Sequence, residues 1–355
     1  MENWVMDLCR RMPKAELHLH LDGALDAGLA LELAAESGWA GFDRPQSYAQ
    51  LYRRLVVEKN AASQEELLAF FELPGLLLHT PQSLCAVARR LMVEKAADNV
   101  RYLEIRWAPA FHRGQGLTNL QVVKLVQNTC DMVAMGTGQT FRLIVCGIRT
   151  LPLEENIRML EEVSPLLGHK LIAADYAGLE AVSPNALEQE AFFTRARELG
   201  YAVTLHCGEL PGSAPRILEA AEKLAPRRIA HGPRSIDDPK LCALLKERDI
   251  MLDLCPTSNI QAGLFPDHAS YPLKDLVKAG VPVSVNSDSN TLNNLTLSDE
   301  YINLLRAGQV DLPTLWRLNL DALAHSFLPE KEKQRLLAEF KAWGELVPEL
   351  SQPVG

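Results

Sequence analysis

The chain has 355 residues, 47% of them hydrophobic, and a formal net charge of −9. An acidic chain is ill suited to polynucleotides and anionic membranes, so neither partner is expected. No apolar run approaches the roughly 20 residues of a membrane span, Met1–Met12 lacks the apolar core of a secretory leader, and the seven cysteines are scattered without a CxxC pair, which together predict a cytoplasmic protein with reduced thiols.

Short apolar runs alternate with amphipathic stretches along the chain. The runs are Ala15–His20, Arg101–Trp107, Phe141–Ile148, Leu171–Tyr176, Ala202–His206, Arg228–Ala230, Ile250–Leu254 and Val281–Asn286. Most are near-continuous in leucine and β-branched residues, as parallel strands buried on both faces tend to be. Between them, Glu65–Leu78, Gln82–Asn99, Leu120–Met135, Ala186–Leu199 and Asp238–Arg248 carry helical periodicity. Strand followed by helix, eight times over, predicts one α/β domain over residues 1–355, a (β/α)8 TIM barrel. A doubly wound open sheet would want a GxGxxG turn after the first strand, and the chain has none there. Residues 26–98 carry extra helices between the first two strands. Residues 313–345 read as a helical tail outside the alternation, with helices over Leu315–Leu323 and Lys331–Trp343.

Barrel enzymes place their chemistry at the C-terminal ends of the strands, so the polar residues ending each run belong together. Four of the nine histidines fall at these ends: His18, His20, His206 and His231. His18 and His20 are two apart on a strand and face the same side. With His206 and Asp288 from two other strand ends they make a nitrogen-and-oxygen donor set suited to zinc, with a position left open for water. Glu209 leaves the strand three residues after His206. A carboxyl buried in that acidic pocket is expected to stay protonated at neutral pH and to act as an acid. His231 ends the sixth run and is a second catalytic candidate. Binuclear relatives of such barrels carry a modified lysine at the end of strand four. Here Lys170 precedes that strand, which predicts one metal ion per chain.

These motifs resemble the adenosine deaminase family over nearly the whole chain. Pro13 to Gly23 is similar to its opening metal motif, His206-Cys207-Gly208-Glu209 to its H-A-G-E, and Arg228 to Gly232 to its R-I-G-H-G. Pro256-Thr257-Ser258-Asn259 matches its P-T-S-N, and Asp175-Tyr176-Ala177-Gly178 resembles its D-L-A-G. The resemblance implies Zn2+ on His18, His20, His206 and Asp288, and catalysis by Glu209, His231 and Asp288. It also implies Asp22 and Gly178 as contacts to ribose and purine. The implied reaction is hydrolytic deamination of adenosine or 2′-deoxyadenosine to inosine and ammonia.

Ser289 departs from the pattern, because the family carries a second acid, or asparagine, after the metal aspartate. Ser289 is expected to reach the purine through water, or Asn290 to substitute for it. Leu179 stands where an acid is common. These changes keep open a 5′-extended adenosine, such as that used by the aminodeoxyfutalosine deaminases, or free adenine. A non-catalytic nucleoside-binding protein is the remote alternative, and no ligand or acid is missing to favour it. Phe70, Phe71, Leu73, Leu76 and Leu77 are candidate apolar contacts from the inserted helices. Composition gives no oligomeric state.

Overall fold

In the computed structural model, eight parallel strands lie side by side in chain order. Residues 2–58, 60, 61, 63–182 and 186–350 are described, without the side chains of residues 186–188. The strands are β1 (Lys14–His20), β2 (Val100–Trp107), β3 (Thr140–Ile148), β4 (Leu171–Ala177), β5 (Ala202–Cys207), β6 (Arg228–His231), β7 (Met251–Leu254) and β8 (Val283–Val285). All eight expected strands are present, with ends shifted by one or two residues, and the architecture is a (β/α)8 barrel.

Helices on the outer surface cover the strands and bury a continuous apolar layer that includes Leu103, Ile105, Phe141, Leu205 and Leu252. Each such side chain, fully buried, contributes about 1.5–3 kcal/mol. Local sequence sets the helix ends. Helix Asn119–Thr137 starts in a Thr118–Gln121 capping box and stops at Gly138, whose φ of 71° suits glycine.

Three expectations need correction. The segment Glu65–Leu78 is not one helix: Gln64–Leu68 and Glu72–Leu77 are separated by a 3-10 turn at Ala69–Phe71. Pro74 accounts for the break, since its ring would clash with the carbonyl four residues earlier, that of Phe70. Within residues 26–98, Pro81–Ala97 is not an insertion but the helix that leads into β2. Residues 313–345 are not wholly a tail either. Leu312–His325 packs on β8 and β1 as the last helix of the ring, and only Glu330–Glu345 lies outside it.

The ring closes between β1 and β8 with little backbone pairing. His20 N donates to Asp288 O at 2.7 Å and Asp288 N to His18 O at 3.2 Å. Side chains do the rest. Asn286 Oδ1 accepts from the amides of Leu17 and His18 at 2.8 and 3.1 Å, and Glu16 Oε1 accepts from the Ser287 amide at 3.0 Å. A bulge in β1 between Glu16 and Leu19 shifts the alternation, so Glu16 meets Lys95 of the neighbouring helix at 2.9 Å while His18 and His20 face each other.

Candidate active site

Charged groups fill the barrel beneath its C-terminal end. Arg106 on β2 reaches Asp175 on β4 at 2.9 Å and Asp253 on β7 at 3.6 Å. Arg228 on β6 pairs with the same Asp253 at 3.1 Å and with Glu104 on β2. These five side chains are fully buried, each charge standing against an opposite one. They sit inside runs that read as apolar strands, so their partnership across the barrel was not expected.

Above this layer, the four expected metal ligands converge. His18 Nε2 and His20 Nε2 are 3.3 Å apart, and His20 Nε2 and His206 Nε2 are 3.2 Å apart. Asp288 Oδ1 lies 3.3 Å from His18 Nε2 and 3.5 Å from His20 Nε2. Donor pairs at such spacings are what ligands roughly 2.0–2.1 Å from a single ion subtend. Burial holds the His18 and His20 imidazoles below their ordinary range, so they are neutral. Asp175 Oδ2 stands 2.9 Å from His206 Nδ1, which keeps the proton on that nitrogen and turns the Nε2 lone pair to the centre. Neutral imidazoles aimed at one another beside a carboxylate fit a divalent cation. The buried Cys255 thiol adjoins this group, its sulfur within 4.8 Å of donor atoms of His18, His231 and Asp288.

Asp288 and His231 hold φ angles of 62° and 67°. Side chains rarely adopt this left-handed region, and such residues concentrate at functional sites at a cost of roughly 1–3 kcal/mol each. The strain turns both side chains into the mouth of the barrel.

Glu209 Oε2 accepts from Gln64 Nε2 at 2.8 Å, and Oε1 lies 3.4 Å from His231 Nε2. Burial pushes the Glu209 carboxyl well above its usual range, and the charges of Glu180 and Asp288 push it further, which favours its protonated form. Glu180 also fixes the loop that presents Glu209, accepting from the backbone amides of Gly208 and Glu209 at 3.1 and 2.8 Å. Gln64 ties the inserted helices to the same place, its Oε1 accepting from the Glu180 amide at 3.0 Å. Neither Gln64 nor Glu180 was singled out from sequence. Glu180 follows directly on the D-Y-A-G-L stretch, a signal that was open to reading.

Burial lowers the His231 imidazole to about 3, so it is neutral. Asn259 Nδ2 donates to its Nδ1 at 3.1 Å, and Tyr271 OH in turn donates to Asn259 Oδ1 at 3.0 Å. This chain of bonds leaves the proton of His231 on Nε2, facing Glu209. His231 is therefore a hydrogen-bond donor in this state, not a base.

A cavity of about 340 Å³ opens beside His20. Asp22, Gly178 and Leu179 line it, together with Leu68, Phe71 and His112. Of the five apolar contacts expected from the inserted helices, only Phe71 lines it. Leu73 and Leu77 are in the main core, Leu76 packs on that core, and Phe70 packs on a small cluster with Val57, Leu67 and Leu292. Ser289 is buried against Gly23, where an added Cβ would come within 2.3 Å of the serine Oγ, and it does not line the cavity. Asn290 cannot substitute for it, because its Nδ2 donates to Glu94 Oε2 at 3.0 Å, away from the metal ligands. Lys170 pairs with Asp131 at 3.5 Å and takes no part in the site.

Residues 13–343 match the adenosine deaminase family profile. The chain belongs to the adenosine deaminase family. The adenosine deaminase of Clostridium perfringens is 31% identical over 325 residues, which are 92% of this chain and 97% of that protein. An adenine deaminase from Arthrobacter aurescens superposes with a TM-score of 0.84 at 25% identity, over 94% of this chain and 99% of that one. An amidohydrolase from Burkholderia ambifaria, solved with bound Zn, superposes with a TM-score of 0.86 at 21% identity, over 98% and 94% of the two chains. The deaminase is thus a hydrolase acting on C–N bonds of purines. No helix among its described residues is long and apolar enough to cross a membrane.

Proposed function

We propose that the chain, acting as one domain, removes ammonia from C6 of an adenine-type purine nucleoside, adenosine or 2′-deoxyadenosine. One zinc ion would be held by His18, His20, His206 and Asp288. The observation that carries the reading is a single corner of the barrel mouth. There a protonated, buried Glu209 stands 3.4 Å from His231 and adjoins the convergent donors.

When bound, zinc supplies the acidity that makes water nucleophilic at neutral pH. Asp288 takes the proton released by water. Burial raises its carboxyl, but the neighbouring His18, His20 and His231 side chains together outweigh that and hold it well below the usual range, hence ionised. Glu209 gives its proton to N1 of the purine, which draws electrons from C6 as the hydroxyl adds there. His231 donates its Nε2 hydrogen toward the oxygen at C6 and orients it. The proton from Asp288 then passes to the amino group, the C6–N bond breaks and ammonia leaves, while the hydroxyl hydrogen returns to Glu209 and the 6-oxopurine is released. The Gly178 backbone, with φ of 99°, stays open to the purine edge. Asp22 accepts from a sugar hydroxyl, whereas Ser289, buried against Gly23, takes no part. Seven unpaired thiols support a cytoplasmic setting.

The test is ammonia release by the zinc-loaded protein on adenosine, 2′-deoxyadenosine and adenine. Turnover of the two nucleosides is expected. Absence of ammonia from all three, with one zinc bound per chain, would overturn the reading.

Asp175→Asn offers a check on the ligand set. The amide cannot hold His206 in the tautomer that presents Nε2, and zinc affinity is expected to fall about 10–100-fold. Competition with a chelating dye reads this directly, and unchanged affinity would remove His206 from the ligands.

A further inference from the structure

His112 lies at the end of the 3-10 turn Pro109–His112, just after β2, and is 1% exposed. Its Nδ1 is 2.7 Å from the Leu78 carbonyl oxygen. A carbonyl only accepts, so Nδ1 carries the hydrogen and Nε2 of the neutral ring presents a lone pair. That Nε2 has no hydrogen-bond partner although it is buried, and the same holds for Asp22 Oδ1. Asp22 Oδ2 is 3.7 Å from His112 Nε2, and Asp22 Oδ1 is 3.9 Å from His20 Nδ1, both too long for a hydrogen bond. Asp22 and His112 come from the exits of two different strands, and both line the 340 Å³ cavity. Unpaired buried acceptors are unfavourable. Two of them side by side call for a ligand that brings two donors.

We propose that His112 is a specificity-determining residue which, with Asp22, reads the sugar hydroxyls of the nucleoside and so sets it apart from free purines and 5′-phosphorylated purines. The proposal rests on the deaminase reading above and names what the non-reacting end of the cavity recognises. A free base leaves both acceptors empty. A 5′-phosphate brings acceptors and negative charge to a corner whose own charge is the Asp22 carboxylate. Among the described residues lining the cavity there is no lysine or arginine to offset it, and Glu65 at the rim adds a second acid.

The test uses zinc-loaded enzyme in steady state on adenosine, adenine and AMP, with His112→Phe and His112→Gln beside the wild type. Phenylalanine keeps the ring and removes Nε2, while glutamine keeps a polar atom within reach. In the wild type, kcat/KM for adenosine is expected to exceed that for adenine and AMP by about 100-fold or more, as two unpaired contacts imply. In His112→Phe, the adenosine-to-adenine ratio is expected to fall about 10–100-fold, through KM rather than kcat, with partial rescue in His112→Gln. Equal losses on adenosine and adenine would mark His112 as merely structural and overturn the proposal, as would a wild type that prefers AMP or adenine. Either result leaves the deaminase assignment standing. A wild type that releases ammonia from none of the three removes that assignment and this proposal together. Should His112→Phe fail to fold, the wild type on 3′-deoxyadenosine and 5′-deoxyadenosine carries the same test. A rise in KM is expected for each missing hydroxyl that the pair reads, and a flat KM across adenosine and both analogues overturns it.

Discussion

Glutamine in place of Glu209 is expected to lower kcat by about 10²–10⁴-fold while KM moves only a few-fold. The side chain keeps its shape, and the bond from Gln64 survives through the amide oxygen. What is lost is the transferable proton. The same residue sets a pH limit. Its carboxyl is raised by burial and by the Glu180 and Asp288 charges, and the active form is the protonated one. Activity is therefore present below the raised value and declines as pH climbs through it, giving the alkaline limb of kcat/KM. Taking the charge from Glu180 by Glu180→Gln removes one cause of that elevation, so the alkaline limb is expected to move to lower pH. A Glu209→Gln enzyme with near-wild-type kcat would show that the proton comes from elsewhere.

Removing the metal is expected to abolish turnover and to lower the melting temperature by several degrees. Free ion at about 1,000 times Kd stabilises a folded site by about 4 kcal/mol, provided the unfolded chain does not bind it. The expectation follows from the donor arrangement, in which three imidazoles and a carboxylate from β1, β5 and the segment just past β8 stand close together. Calorimetry of chelated and zinc-replete protein measures it, with restoration on adding zinc as the control. Identical melting temperatures would mean that the four groups do not bind the ion in the folded state.

The barrel was legible because parallel strands buried on both faces leave apolar runs that no surface element imitates. Even β6 and β8, at four and three residues, announced themselves by the polar residues that end them. That His18, His20, His206 and Asp288 come together was legible for a related reason, since each lies near or just past the C-terminal end of a strand. Arg106, Asp175 and Gln64 were not. A charge inside an apolar run reads as an interruption, and nothing local says that Arg106 meets Asp175 across the barrel or that Gln64 meets Glu209. Asn290 was misjudged for a related reason. One residue past Ser289 the chain has turned outward toward Glu94, and adjacency in sequence is no guide to direction in a loop. The break in Glu65–Leu78 was readable from Pro74, and helical periodicity masked it.

The lightly laced β1–β8 seam bears on how the molecule comes together. Its two sides stand about as far apart in sequence as any partners in the ring: Leu17 and His18 meet Asn286 across separations of 269 and 268 residues. Contacts of such long range are slow to form. His18 and His20 stand on one lip of this seam and Asp288 on the other. On the proposed ligand set, an ion seated there would act as a rivet across the joint that backbone pairing leaves weakest. The four donors come together only after that joint has met, so tight metal capture would be a late event in folding. Its rate would time the closing of the ring.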